Sequence, residues 1–136
     1  MATGTAGDQA RQQPRQVVNT WRKTINFNDP GIADGVAGVV VPAGAFLTRV
    51  LIEIVTAFNA VTTNVITMGT TATGTNIVAA GDVDETVAAV YEVTRGYGRS
   101  LTAAADTTIY YRYTQTGTAA TAGVAEIVVE YEANTG

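Results

Sequence analysis

The chain contains no cysteine and no histidine. Without cysteine, disulfides, thiolate nucleophiles and zinc–thiolate sites are excluded, and the chain suits a reducing or an oxidising compartment equally. Without histidine it lacks the usual general base at neutral pH, the commonest transition-metal ligand and the base of every Ser-His or Cys-His pair. Most hydrolase mechanisms thereby lose their central residue. Long hydrophobic runs are missing too. No stretch approaches the ~20 apolar residues that cross a bilayer as a helix, and the opening MATGTAGDQARQQPRQ lacks the apolar core of a secretory signal. The expectation is a soluble protein that is not exported by a cleaved signal, with no membrane partner.

What is present favours strands. With 136 residues and 46% hydrophobic content the chain can bury one ordinary core. It holds 18 Val and 23 Thr, β-branched residues that fit a pleated surface better than a helix. Charge is unevenly placed: residues 1–23 carry four basic groups and one acidic group, net +3, and residues 24–136 carry four basic and eleven acidic groups, net -7. An acidic body of this kind argues against nucleic acid as a partner, because phosphate neutralisation needs a clustered basic surface.

Apolar periodicity is two throughout, and no segment sustains the spacing of a surface helix. In VAEIVVEYE, Ala125, Ile127, Val129 and Tyr131 alternate with Glu126, Val128, Glu130 and Glu132, giving a buried face and a solvated one. FLTRVLIEIVTAF reads as a second strand, with Phe46, Val50, Ile52, Ile54 and Phe58 on the core side. Its other side, Leu47, Leu51 and Val55 around Arg49 and Glu53, is apolar enough to expect partial cover by another chain or by the N-terminal segment. Further strands are expected near 16–27, 35–41, 63–69, 75–79, 87–95 and 107–115, separated by turn signals such as Pro42-Ala43-Gly44 and Ala80-Gly81-Asp82. About eight short strands at this spacing indicate an all-β fold: a two-sheet antiparallel sandwich of jelly-roll type. Residues 1–15, without periodicity or large apolar side chains, read as a flexible basic N-terminal arm, and residues 16–136 as the sandwich domain.

Few constellations carry chemistry. Asp82, Asp84 and Glu85 in GDVDE form the tightest carboxylate cluster; a hard cation is one reading, but the twelve-residue calcium loop is missing and an acidic turn explains the residues as well. No metal, cofactor or catalytic residue is assigned, and the chain is read as a non-enzyme. A sandwich glycoside hydrolase, pairing one of these carboxylates with Glu53 or Glu92, has no sequence mark of its own. TRGYGRS reads as an exposed loop presenting Arg95, Tyr97 and Arg99 as contact groups. IYYRY sets Ile109, Tyr111 and Tyr113 on one face and Tyr110 with Arg112 on the other, which serves either a sugar-stacking row or cross-strand packing. In QARQQPRQVVNTWRK, Arg11, Arg15, Arg22 and Lys23 gather half of the chain's positive charge, with Trp21 as an apolar anchor. Three readings stand: a salt-labile nucleic-acid contact, a tail without a role, or, preferred, a clamp or added strand on an acidic neighbouring protein.

The phrases PAGA, TAFNA, TQTGTA and VEYE, within a stretch covering about residues 35–132, give the body a further character. It resembles the jelly-roll cement, or decoration, proteins of short-tailed bacteriophages, encoded beside the major capsid gene. The N-terminal arm is not part of the resemblance. The resemblance implies a non-enzymatic virion protein on the outer surface of the assembled head, made in the host cytoplasm, forming a homo-oligomer (dimer or trimer) that bridges neighbouring major capsid proteins. The alternative is a head-fibre or tail receptor-binding module that holds a host glycan on the row around Tyr110 to Tyr113.

Overall fold

The computed structural model describes residues 18–93, 97–98, 101–102 and 104–133. Seven strands appear among them: β1 (Val18–Asn26), β2 (Val36–Val41), β3 (Phe46–Thr56), β4 (Thr63–Gly69), β5 (Val90–Val93), β6 (Thr107–Thr116) and β7 (Val124–Glu132). They form a four-stranded sheet in the order β1-β7-β3-β5 and a three-stranded sheet in the order β2-β6-β4. All pairings are antiparallel. Successive strands alternate between the two sheets, so the chain wraps a jelly-roll sandwich of the expected class. No helix among the described residues is long and apolar enough to cross a membrane.

The eighth strand, expected at 75–79, is reduced to one bridge between Val78 and Met68. It nevertheless fills the outer position beside β4, with Ile77 and Val78 both donating to the Met68 carbonyl at 3.0 Å. That explains why the second half of β4, Ile66 to Gly69, is buried on both faces: a short apolar cover lies where an open edge would be.

Period-two burial builds the core. Ala125, Ile127 and Val129 of β7 face Ile109, Tyr111 and Tyr113 of β6 across the sandwich, and all six are at most 5% exposed. Val50, Ile52 and Ile54 of β3 join them, and each fully buried aliphatic side chain contributes about 1.5–3 kcal/mol relative to exposure. One end is closed by Phe58, whose ring lies 4.6 Å from that of Tyr113. Gly123 makes this possible: with φ at 152°, its missing Cβ would fall 2.3 Å from the Phe58 ring.

The start of β3 departs from simple alternation. A register shift between Leu47 and Arg49 against β7 inserts one extra residue. Leu47 therefore turns into the core (1% exposed) and Phe46 turns out (50% exposed), the reverse of the assignment that alternation gives. A second shift, between Ile54 and Thr56, leaves Val55 half exposed. The strand expected near 16–27 is β1, which pairs with the chain's own β7 rather than with a neighbour's sheet edge, in register from Val18 opposite Glu132 to Asn26 opposite Val124. Its alternating polar pattern suits an outer strand whose partner already supplies the core side chains.

Candidate functional site

The register sets which side chains share the outer face of the four-stranded sheet. One row runs from Arg22 through Val128 and Leu51 to Glu92, and the next from Thr24 through Glu126 and Glu53 to Val90. A third carries Thr20, Glu130 and Arg49, and Glu132 lies beyond it between Val18 and Phe46. Arg22 donates to the Glu126 carboxylate. Arg49 sits between two carboxylates, 3.8 Å from Glu92 and 3.9 Å from Glu130. Glu53 stands directly opposite Glu126, a like-charge pairing that costs stability unless a cation offsets it. The face thus sets five carboxylates against two guanidinium groups. At its centre is a shallow notch of about 180 Å³, with Leu51, Val90 and Val128 as an apolar floor and Arg22, Glu53 and Glu126 at the rim. The side of β3 for which cover is expected is a defined, acidic surface with an apolar middle.

Trp21 is not a free anchor. Its half-buried indole packs on Tyr111, with centroids 6.1 Å apart, and closes the flank of the sandwich between β1 and β2. Gly38 of β2 is its seat: a Cβ there would stand 2.9 Å from the indole Cη2 and 2.9 Å from the Ile109 carbonyl oxygen. Lys23 borders an open cleft of about 310 Å³ with Asn26, Asp29, Val36 and Tyr111. Burial, reinforced by the negative charge of Asp29, raises the Tyr111 phenol above its ordinary value.

The second expected patch changes more. Tyr97 does not present itself to solvent: it is 6% exposed and its hydroxyl donates to the Ile77 carbonyl at 2.7 Å, tying its loop to the segment that covers β4. A large amphipathic ring beside an apolar cover gains more by burial with a hydrogen-bonded tip than by exposure. Arg95 and Arg99 lie outside the described residues, as do Arg11 and Arg15. The aromatic row is likewise internal, since Tyr111 and Tyr113 are core residues and only half-buried Tyr110 remains on the outer face with Arg112. Arg112 itself donates to the Ala33 carbonyl at 2.7 Å. No sugar-stacking platform is formed by these rings.

The carboxylates of GDVDE point to different tasks. Asp82 accepts from the Ala79 amide at 2.9 Å. Asp84 accepts from the Thr86 hydroxyl at 2.6 Å and from its amide at 3.1 Å, bonds that hold its carboxyl below the ordinary range. Glu85 turns inward, 4% exposed, and accepts from the Ile66 amide at 2.8 Å. Desolvation raises its carboxyl despite that bond. Among the described residues no group of three or more Asp or Glu side chains is placed to hold a metal ion. The buried role of Glu85 had one sequence signal: it follows Val83 by two positions, on the side that Val83 buries.

Neither a protein-family model nor a curated protein matches the chain. Solved structures do share its fold. A chain in a structure of the cyanophage Pam1 capsid asymmetric unit superposes with a TM-score of 0.61 at 17% identity, covering 88% of this chain and 86% of that one. A chain in an acidic stable capsid structure of Helicobacter pylori bacteriophage KHP30 gives 0.62 at 18%, covering 85% and 86%. One in the capsid of Ralstonia phage GP4 gives 0.61 at 17%, covering 88% and 86%. At such identities the likeness is one of fold.

Proposed function

We propose that this chain is a capsid cement protein of a tailed bacteriophage, a non-enzymatic brace on the outer surface of the assembled head. The observation that carries the reading is the fold shared along 85–88% of the chain with chains of three separate phage capsid structures. The resemblance of residues 35–132 to decoration proteins points the same way. So does the use of ionisable groups: Arg112, Asp82, Asp84 and Glu85 are all engaged with backbone groups of the chain itself. In this reading the protein is a dimer or trimer bridging neighbouring major capsid proteins. Arg11, Arg15, Arg22 and Lys23, with Arg95 and Arg99, make the charged contacts, while Trp21 and Tyr97 hold the surfaces behind them. Several small contacts reinforce one another when one oligomer presents them together, and binding only the assembled shell stabilises it by mass action.

The test uses heads of the parent phage that lack this chain. Purified protein is expected to cosediment saturably with assembled heads and not with unassembled capsid subunits, and to raise the temperature at which heads rupture. Equal affinity for free subunits, or none for heads, overturns the proposal. Deleting residues 2–15 is expected to leave the body folded by circular dichroism and to lower occupancy on heads. Undiminished occupancy removes the arm from the contact.

A further inference from the structure

The open flank of the sandwich between β1 and β2 holds polar groups that the fold does not use. Alternation puts Lys23 on the side of β1 that Trp21 and Ile25 turn toward the interior, and its ammonium has no ion-pair partner among the described residues. Tyr111, opposite Val36 of β2, reaches the same flank from β6. The residue is 5% exposed and its hydroxyl has no hydrogen-bond partner among the described residues. Since no fully enclosed side-chain polar atom is left unpaired among them, that hydroxyl opens into the cleft the residue lines.

The far wall is a turn. The Asp29 amide donates to the Asn26 carbonyl at 3.2 Å, and the Asp29 carboxylate accepts from the Asn26 amide at 2.9 Å. That carboxylate keeps lone pairs for a further donor, and its charge reaches the Tyr111 phenol across the same space. Val36 and Pro30 add apolar surface to the lining. At about 310 Å³ the cleft lies at the small end of the range of about 300–1,000 Å³ for small-ligand sites, room for one ring rather than a chain. Its lining carries one cation, Lys23, and one carboxylate, Asp29, so an anion meets Asp29 and a cation meets Lys23. A neutral polyol suits both: its hydroxyls accept from Lys23 and Tyr111 and donate to Asp29, while its C–H surface covers Val36 and Pro30.

We propose that the cleft between β1 and β2 binds a single sugar ring, with Lys23 and Tyr111 as donors and Asp29 as acceptor. Tyr111 takes part through its hydroxyl and not through its ring face, so the site is distinct from a stacking row. Lys23 is common to this site and to the capsid contact proposed above. The experiment uses the free protein, so that either reading can fail without the other.

The isotope-labelled full chain is titrated by NMR with the methyl glycosides of glucose, galactose, mannose and N-acetylglucosamine, and separately with acetate and with glycine at matched ionic strength. At least one glycoside is expected to shift the amide signals of Lys23, Asn26 and Asp29 saturably, with a dissociation constant on the order of millimolar because one ring offers few atoms. Glu92 on β5, at the opposite edge of the same sheet, is expected to stay unmoved. Tyr111→Phe, which keeps the ring that packs on Trp21, and Lys23→Gln, at an exposed position, are each expected to weaken binding about fivefold. An unchanged thermal unfolding curve verifies the fold of each, and if Tyr111→Phe fails to fold, Lys23→Gln decides alone. No saturable shift with any of the four glycosides overturns the proposal, as does full affinity in either folded variant. So do shifts from acetate or glycine that equal or exceed those from the glycosides, which assign the cleft to a charged ligand.

Discussion

Glu85 shows how one residue ties a loop to the core and makes stability depend on pH. The folded protein retains a proton on this buried carboxyl to higher pH than the unfolded chain does. Its contribution is therefore complete below the ordinary carboxyl range and is lost as pH rises through the folded value. Asp84 acts in the opposite sense, its hydrogen-bonded carboxylate contributing above the ordinary range and fading in acid. Comparison with Glu85→Gln isolates the first effect: between about pH 7 and about pH 4, thermal unfolding is expected to show the unmodified protein gaining on the variant as pH falls. A second test concerns Gly38, whose missing Cβ admits the indole of Trp21. Gly38→Ala is expected to cost about 1–3 kcal/mol in urea unfolding, because the Ile109 carbonyl on one side cannot yield and the ring must. Trp21 is the one tryptophan, so its emission should shift to longer wavelength as the ring moves into water.

At the scale of elements, the informative case is β3. Alternation along FLTRVLIEIVTAF is correct from Val50 to Ile54 and inverted at Phe46 and Leu47, because the extra residue before Arg49 rotates the strand's entry by one face. The energetic consequence separates the two assignments. Leu47→Ala is expected to cost about 2–4 kcal/mol by urea denaturation and Phe46→Ala less than about 1 kcal/mol. Equal costs would argue against the bulge. By contrast β4 and β7 were legible to the residue, since their charged or turn-forming neighbours fix both ends and the extra residues of the β3–β7 register shifts fall on β3. The segment at 75–79 has the composition of a strand, yet only Ile77 and Val78 reach the sheet, because that edge needs only a short cover.

At the scale of the whole molecule, the first and last strands are neighbours, and β7 lies between β1 and β3. The four-stranded sheet is therefore incomplete until the C-terminal strand arrives. A chain ending at Gly123 is expected to give no cooperative transition in urea, since β1 would have no partner and β3 would keep only the short β5. Retained cooperativity by circular dichroism would show that the remaining strands suffice. This closure also explains the form of the candidate surface. Five carboxylates and two arginines from widely separated stretches become one acidic face only when β1, β7, β3 and β5 lie side by side. The charge imbalance of the N-terminal stretch and the solvated carboxylates of β7 were visible in the sequence, whereas their assembly with Glu53 and Glu92 into one acidic face was not.

Composition and alternation were sufficient to determine an all-β sandwich, the approximate strand positions and the loss of histidine- and cysteine-dependent chemistry. These follow from local rules, since burial on a pleated strand recurs every second residue whatever its partner. The fates of Phe46, Trp21 and Tyr97, the donor that Glu85 meets, and the pairing of Glu53 with Glu126 were decided only by tertiary structure. Each depends on what stands opposite: a bulge, a glycine seat, a donor on another strand, or a like charge across the sheet. Such neighbours are set by the register between distant segments, which no single stretch of chain encodes alone.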